Sequence, residues 1–318
     1  MCAAKGLFYV KIDIPLISEN TVSYLMQQFP DQAHEWIRAL EGEINRIADK
    51  WQLTFFGAEN TSRFGTILYA SSPKYGDAAV KVIPPFSPRL KTEILCYQTL
   101  PYQEMCPLYE VDESLGALLM KYIPEDGKCA HAAKEAVFSS LYAQKKEAPS
   151  GCTAFPAYED VLYSVAENAK RVINQSGEAA LEALLPSIEA SFAAIETFKC
   201  DARYIIHGDA HECNMLVNGG SCVLIDPLGY IAPFEFEMSR YLGTVVKHTL
   251  LTNDEFMSLL FRIMPEGTSA DKCLTAFSID TTLRACNTFI EGNTHPEICY
   301  SIDWAKRAWQ YRNALSGK

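Results

Sequence analysis

The chain of 318 residues has no C-x-x-C pair, no G-x-G-x-x-G, no internal repeat and no apolar run long enough to span a membrane. Each absence removes a class of function. Without paired cysteines there is neither a zinc ribbon nor a dithiol redox motif. The nearest two of its 11 cysteines, Cys213 and Cys222, are nine positions apart. An odd number of thiols suits a reducing compartment, so a cytoplasmic location is expected. An ordinary membrane span needs ~18 apolar residues in succession, and none occurs. The opening MCAAKGLFYVKIDIP breaks its apolar character at Lys5, Lys11 and Asp13, so it does not read as a signal peptide. Positive charge is also scarce. Lys and Arg number 28 against 39 Asp and Glu, a net charge of −11, which disfavours contact with a phosphate backbone. No nucleic acid, membrane or obligate protein partner is expected, whereas a small cation would be drawn to such a field.

What is present suffices for a large core. Apolar residues make up 48% and charged residues 21%, enough for one large domain or two lobes. Over 33–51 the residues Trp36, Ile37, Leu40, Ile44, Ile47, Ala48 and Trp51 recur at helical spacing. Short β-prone runs follow at 53–56, 64–70 and 78–83, separated by turn formers such as Tyr75-Gly76-Asp77. A helix after Pro88 and strands near 106–111 and 116–123 complete a first lobe, and Pro124-Glu125-Asp126-Gly127 reads as its end. The expected division is 1–123 and 124–318. Beyond it the pattern is helical at 130–146, 157–175, 178–199, 235–251, 254–263, 270–291 and 300–315.

One stretch of the second lobe breaks that pattern. YIIHGDAHECNMLVNGGSCVLIDP (204–227) crowds polar groups between Ile205-Ile206 and Val223-Leu224-Ile225, which read as two buried strands around a polar hairpin. Asn214 follows Asp209 by five residues, and Asp226 ends the next strand. Phosphoryl transfer uses this spacing: an Asp takes the acceptor proton, and an Asn and a second Asp give Mg²⁺ its oxygen ligands. The rival reading is a zinc site from His207, Asp209 and His211. It needs a helix to align the histidines, and Gly208 beside a strand makes 207–211 a poor one. His207 reads as a brace behind the loop.

The first lobe supplies candidates for the nucleotide. Lys81 points away from the face of Val80 and Val82, and Glu93 follows twelve residues later on the next helix. A Lys oriented by a helix carboxylate and gripping phosphates is the kinase arrangement; Glu104 and Glu110 are weaker rivals for that carboxylate. Asn60, Thr61 and Ser62 offer donors to phosphate oxygens, although an ordinary polar hairpin tip explains them nearly as well. Lys121, Tyr122 and Ile123 would present backbone groups to adenine.

Three segments, HGDAHECNML, VLIDPLGYIAPFEFEMSRYL and EWIRALEGEINRIADKWQLTF, resemble the aminoglycoside phosphotransferase family of the protein-kinase-like superfamily. The similarity extends to its branch of streptomycin 6-phosphotransferases and hydroxyurea resistance kinases. The resemblance implies an α+β, bilobal protein-kinase-like fold. A small antiparallel sheet with a leading helix would bind nucleotide, and a larger helical lobe would carry catalysis and the acceptor. It implies ATP and Mg²⁺ as cofactors, Asp209 as base, Asn214 and Asp226 as metal ligands, and Lys81 as the phosphate lysine. Gly208 stands where protein kinases carry a phosphate-sensing Arg, and about eight residues separate Asp226 from the helix near Glu235, too few for a regulated activation loop. A small-molecule acceptor is therefore expected, cationic and aminoglycoside-like or amino-sugar-like. Glu235, Glu237, Asp280, Glu291, Asp303 and Trp304 are candidates to bind it, since an acid beside an aromatic holds an ammonium group. The alternatives are a neutral metabolite or hydroxyurea as acceptor, or a nucleotide-binding regulator without turnover.

Overall fold

A computed structural model describes residues 16–59, 62, 64–100, 102–124, 130–177, 179–248, 251–290 and 295–316. The chain divides into two compact units, Met1–Gln98 with Cys106–Pro124, and Thr99–Met105 with Glu125–Lys318. The excursion 99–105, placed by the sequence in the first lobe, joins the second for a visible reason. Gln103 N–H donates to Gln144 Oε1 (2.7 Å), Gln144 Nε2 donates to Glu104 Oε2 (2.9 Å), and the Glu104 carbonyl accepts Leu224 N–H (2.7 Å).

The first unit opens with a helix that periodicity did not indicate, α1 (Glu19–Gln28), capped by the Ser18 hydroxyl, which accepts Thr21 N–H (3.0 Å). Pro30 then starts α2 (Pro30–Trp51), where its missing N–H costs nothing. Ala33, Trp36, Leu40, Ile44 and Ile47 form the buried stripe of α2. The strands β1 (Thr54–Glu59), β2 (Thr66–Ser72), β3 (Gly76–Val82), β4 (Leu108–Asp112) and β5 (Ala117–Lys121) make one antiparallel sheet in the order β1-β2-β3-β5-β4. Between β3 and β4 runs α3 (Pro88–Thr99). Alternation sorts this sheet into two faces. Leu68, Ala70, Ala78, Val80, Val82 and Leu119 share a core with the α2 stripe. Ile67, Tyr69, Ala79, Lys81, Leu118 and Met120, their neighbours in register, take the other face.

In the second unit α4 (Ala130–Gln144) and α5 (Tyr158–Ser176) follow expectation. The single helix expected over 178–199 is instead broken into α6 (Ala179–Glu182) and α7 (Leu185–Ile195) with a trailing 3-10 turn. Pro186 opens α7, and a proline carries no N–H to continue a preceding helix. The four short strands are β6 (Tyr204–Ile206), β7 (Met215–Asn218), β8 (Ser221–Leu224) and β9 (Tyr230–Ala232). Here the expected pairing is corrected. β6 pairs with β9, while β7 and β8 form their own hairpin through Gly219 and Gly220, both at positive φ (57° and 78°), as a tight two-residue hairpin requires.

The unit ends with α8 (Glu235–His248), α9 (Asn253–Ile263), α10 (Ala270–Ile290) and α11 (His295–Ser316). A Thr252–Glu255 capping box starts α9. α10 is central and packs against α5, α7, α8 and α11. Its buried Ser278, Thr281 and Thr282 return their hydroxyls to carbonyls one turn back, at 2.9, 2.7 and 2.9 Å. These three hydroxyls therefore sit in the core with their donors met. No helix among the described residues is long and apolar enough to cross a membrane.

The α2 stripe gives a direct stability test. Leu40→Ala removes a buried side chain shared with the sheet and is expected to cost about 2–5 kcal/mol. Glu41→Ala, on the exposed side of the same helix, should stay within about 0.5 kcal/mol of wild type. Urea denaturation followed by circular dichroism reads both.

Candidate functional site

The chain leaves β6 at Ile206 and turns sharply through His207 and Gly208. His207 is buried, and both its ring nitrogens are engaged: Nε2 lies 3.0 Å from the Ile225 carbonyl, and Nδ1 accepts Asp209 N–H (3.3 Å). Those partners assign the proton to Nε2, which removes the imidazole from zinc ligation and makes it the expected brace. Among the described residues no group of three or more His, Cys, Asp and Glu side chains is placed to hold a metal ion. Gly208 adopts φ 76°, and a Cβ there would lie 2.4 Å from the Tyr230 ring. Glycine is required at this position because β9 packs directly over the turn.

Both N–H groups of the turn end on one carboxylate. His207 N–H donates to Glu237 Oε2 (2.6 Å) and Gly208 N–H to Glu237 Oε1 (3.2 Å). Glu237 is fully buried, and burial pushes its carboxyl up to about 7 despite these two donors. Asp209 follows. The Asn214 side-chain amide donates to the Asp209 carbonyl (3.0 Å) and to Oδ2 (3.1 Å), while Arg240 Nε approaches Oδ1 (3.1 Å). Although burial raises its carboxyl, Arg240 and then His211 outweigh that and hold Asp209 down at about 2.

Asn214 and Asp226 are neighbours through the backbone, because Ile225 N–H donates to the Asn214 carbonyl (3.0 Å). With its NH₂ turned to Asp209, the Asn214 amide leaves Oδ1 for a cation. Asp226 sits at φ 62°, left-handed for a non-glycine residue and doubly unfavourable before Pro227. A hard divalent cation wants such oxygen donors, so the pair fits Mg²⁺.

The expected acceptor residues fare unevenly. Glu237 is a positioning group, since the backbone of the turn occupies it. Asp280 is buried on α10, where Tyr158 donates its hydroxyl to Oδ1 and Arg284 Nε stands 3.9 Å from Oδ2. Trp304 is buried and already faces a cation, the Arg284 guanidinium, 5.8 Å from its ring. Asp303, one residue earlier on α11, is exposed, as a 100° step round a helix dictates. Glu235 is half-buried, with its carboxyl pushed up by burial, and Glu291 lies outside the described residues. Sequence reading passed over Arg240, Arg284 and Tyr158. Lone arginines and tyrosines in helical stretches carry no spacing signal, and only packing brings the arginines to Asp209 and Tyr158 to Asp280.

In the first unit Lys81 Nζ contacts both Glu93 oxygens at 2.8 Å, with side chains 3% and 0% exposed. Arg89 adds a second cation to Glu93 (3.3 Å). The rival acids have other partners: Glu110 meets Lys74 and Tyr75, and Glu104 meets Ser140 and Gln144. The Ser62 carbonyl accepts the Thr21 hydroxyl (2.5 Å), so α1 anchors the loop before β2; Asn60 and Thr61 lie outside the described residues. Lys121 spends its N–H on Pro107 and its carbonyl on Cys106 Sγ, and Tyr122 N–H goes to Asp77. That leaves the Tyr122 carbonyl and the Ile123 backbone to meet a base. The Tyr122 ring lies 5.0 Å from Tyr69, on the Lys81 face of the sheet.

No family profile matches the sequence, and no curated protein does. Solved structures do match. The choline kinase LicA of Streptococcus pneumoniae aligns with a TM-score of 0.60 at 13% identity, over 86% of this chain and 99% of that one. The aminoglycoside phosphotransferase APH(4)-Ia aligns with a TM-score of 0.63 at 10% identity, over 85% and 99%. A streptomycin–ATP–APH(2″)-IIa ternary complex aligns with a TM-score of 0.56 at 12% identity, over 84% and 95%. At such identities the likeness establishes the fold, the α+β kinase-like architecture of a small sheet unit and a larger helical one.

Glu237 sets a pH signature. Between pH 4.5 and about 7 it holds a proton in the folded unit and loses it in the unfolded chain, so its contribution to stability falls as pH rises through that window. Glu237→Gln, uncharged throughout, should flatten the decline. Urea midpoints measured from pH 5 to 7.5 should fall more steeply in the wild type; parallel curves would refute the burial assignment.

Proposed function

We propose that the protein transfers the γ-phosphoryl group of ATP to a hydroxyl of a small molecule, with Mg²⁺ as cofactor. The observation that supports this most is the turn itself: Asp209 and Asn214 are hydrogen-bonded together, and Asp226 is tied to them through Ile225. In this reading the acceptor oxygen bonds to the γ-phosphorus, the bond to the bridging oxygen breaks, and ADP leaves. The acceptor proton passes to an Asp209 oxygen. A carboxyl near 2 is a weak base, so Asp209 would chiefly orient the hydroxyl and receive the proton as the new P–O bond forms. Asn214 and Asp226 would hold Mg²⁺, which offsets phosphate charge when bound. Lys81, fixed by Glu93, would take phosphate oxygens, and the Tyr122 carbonyl and Ile123 backbone would take adenine.

A small acceptor is favoured over a protein one. The stretch from Asp226 to α8 is filled by β9, which is bound to β6, and holds no activation segment. Membership of the aminoglycoside phosphotransferase family is part of the proposal, resting on the shared fold and the quoted motifs. A cationic acceptor is a second reading, favoured by the choline kinase and streptomycin-bound neighbours. Of the residues named for it on this chain, Glu237, Asp280 and Trp304 are committed to other partners.

Asp209→Asn should leave ATP binding nearly intact and lower kcat by about 10²–10⁴, the range for losing a general base. Retention of more than about a tenth of turnover would disprove the assignment. Asp226→Ala should abolish the Mg²⁺ dependence of ATP binding in calorimetry; a dependence that survives would place the metal ligand elsewhere.

A further inference from the structure

Two guanidinium groups stand beside Asp209 with almost nothing in the protein to receive their hydrogen bonds. Each carries five N–H donors. Arg240 Nε comes to 3.1 Å from Asp209 Oδ1, yet this buried atom makes no aligned hydrogen bond. The Arg284 guanidinium reaches Asp280 Oδ2 only at 3.9 Å and donates no hydrogen bond among the described residues. A desolvated cation with unmet donors is unfavourable, so such an arrangement asks for an acceptor from outside. Both groups are reachable: the side chains of Arg240 and Arg284 are 19% and 21% exposed, beside Asp209 at 19%.

The arrangement also fixes the sign of the missing partner. Asp280 is fully buried and accepts the Tyr158 hydroxyl, so it offers no surface for a ligand to touch. What a ligand meets around Asp209 is Arg240, Arg284 and His211. Arg284 is placed deliberately. A Cβ on Gly243 of α8 would come to 3.1 Å from its Nη1 and 3.4 Å from the Trp304 ring, and glycine there lets the guanidinium lie against both. A guanidinium set over an aromatic ring keeps its in-plane N–H fork for a carboxylate or phosphate, which it binds through two parallel hydrogen bonds. Burial and the nearby Arg240 cation hold the Arg284 guanidinium below its ordinary value and outweigh the Asp280 and Asp209 carboxylates, as expected where those anions do not fully pair it.

We propose that Arg284, supported by Arg240, is an anion subsite for the acceptor, and that the acceptor carries a carboxylate or phosphate group near the hydroxyl presented to Asp209. This rests on the phosphotransferase reading and departs from the cationic acceptor expected from sequence. It makes Arg284 a specificity-determining residue on α10, where the sequence pointed instead to Asp280.

A matched series of acceptors tests it. Gluconate, sorbitol and glucamine share a six-carbon polyol skeleton and differ at one end, as carboxylate, hydroxymethyl and ammonium. ADP release with Mg-ATP should show kcat/KM at least tenfold higher for gluconate than for sorbitol, with glucamine lowest. Arg284→Gln should collapse the gluconate-to-sorbitol ratio towards one, and Arg284→Lys, which keeps the charge but not the fork, should restore part of it. A ranking led by sorbitol or glucamine in the wild type would overturn the subsite whatever the variants do. If none of the three is phosphorylated, calorimetry with gluconate separates the two ideas. Saturable binding weakened at least tenfold in Arg284→Gln sustains the anion subsite while the transferase reading fails. No binding, or binding indifferent to Arg284, removes the subsite.

Discussion

The second unit is organised around one buried carboxylate. Glu237, on the first turn of α8, accepts the N–H groups of His207 and Gly208 and so holds a turn that has no regular secondary structure to hold it. A backbone N–H buried without a partner is costly, and this turn would bury two. Everything chemically useful follows from that fixed corner. Asp209 is the next residue, Asn214 bonds back to it, and Asp226 is reached through Ile225. The corner is closed on its other side by β9, whose Tyr230 leaves no space for a side chain at position 208.

Charge is then distributed so that Asp209 stays ionised in a largely desolvated place. Arg240, carried on the same helix as Glu237, lies against Asp209, and Asp280 and Tyr158 lie behind Arg240. α8 thus contributes twice, once through a carboxylate that shapes the backbone and once through a guanidinium that sets the charge state. The cost is an incompletely paired set of arginines, which is tolerable in a site that a ligand completes. The first unit solves a comparable problem differently. Its buried Lys81 is fully matched by Glu93, and Arg89 adds a second cation to the same carboxylate.

The legible parts of this protein were those written in short-range spacing. The α2 stripe, the alternation around Lys81, and the step from Asp209 to Asn214 all follow from the geometry of a helix, a strand or a single turn. Legibility failed where partners are distant in sequence. Ile205-Ile206 and Val223-Leu224 look alike as apolar runs, and nothing local says that β6 chooses β9 rather than β8. The helix expected over 178–199 is broken for a local reason, Pro186, which has no N–H to continue a preceding helix whatever the apolar period.

Sequence alone supplied the spacing on which the proposed chemistry rests, because one Asp, one Asn and a second Asp at these positions need only a turn and a hairpin to meet. It also determined the two-part organisation, since a β-rich stretch and a helical stretch bury their apolar faces by different periods. Only the tertiary structure decided which arginines act on Asp209 and what lies next to those arginines. Arg240, Asp280, Arg284, Tyr158 and Trp304 come from four helices, α5, α8, α10 and α11, and no spacing links them. Two acids that the sequence offered to a cation, Glu237 and Asp280, proved to be held by backbone N–H groups, a tyrosine hydroxyl and an internal arginine. A residue's charge is read from its letter, but whether that charge is available to a ligand depends on which partners packing brings within reach.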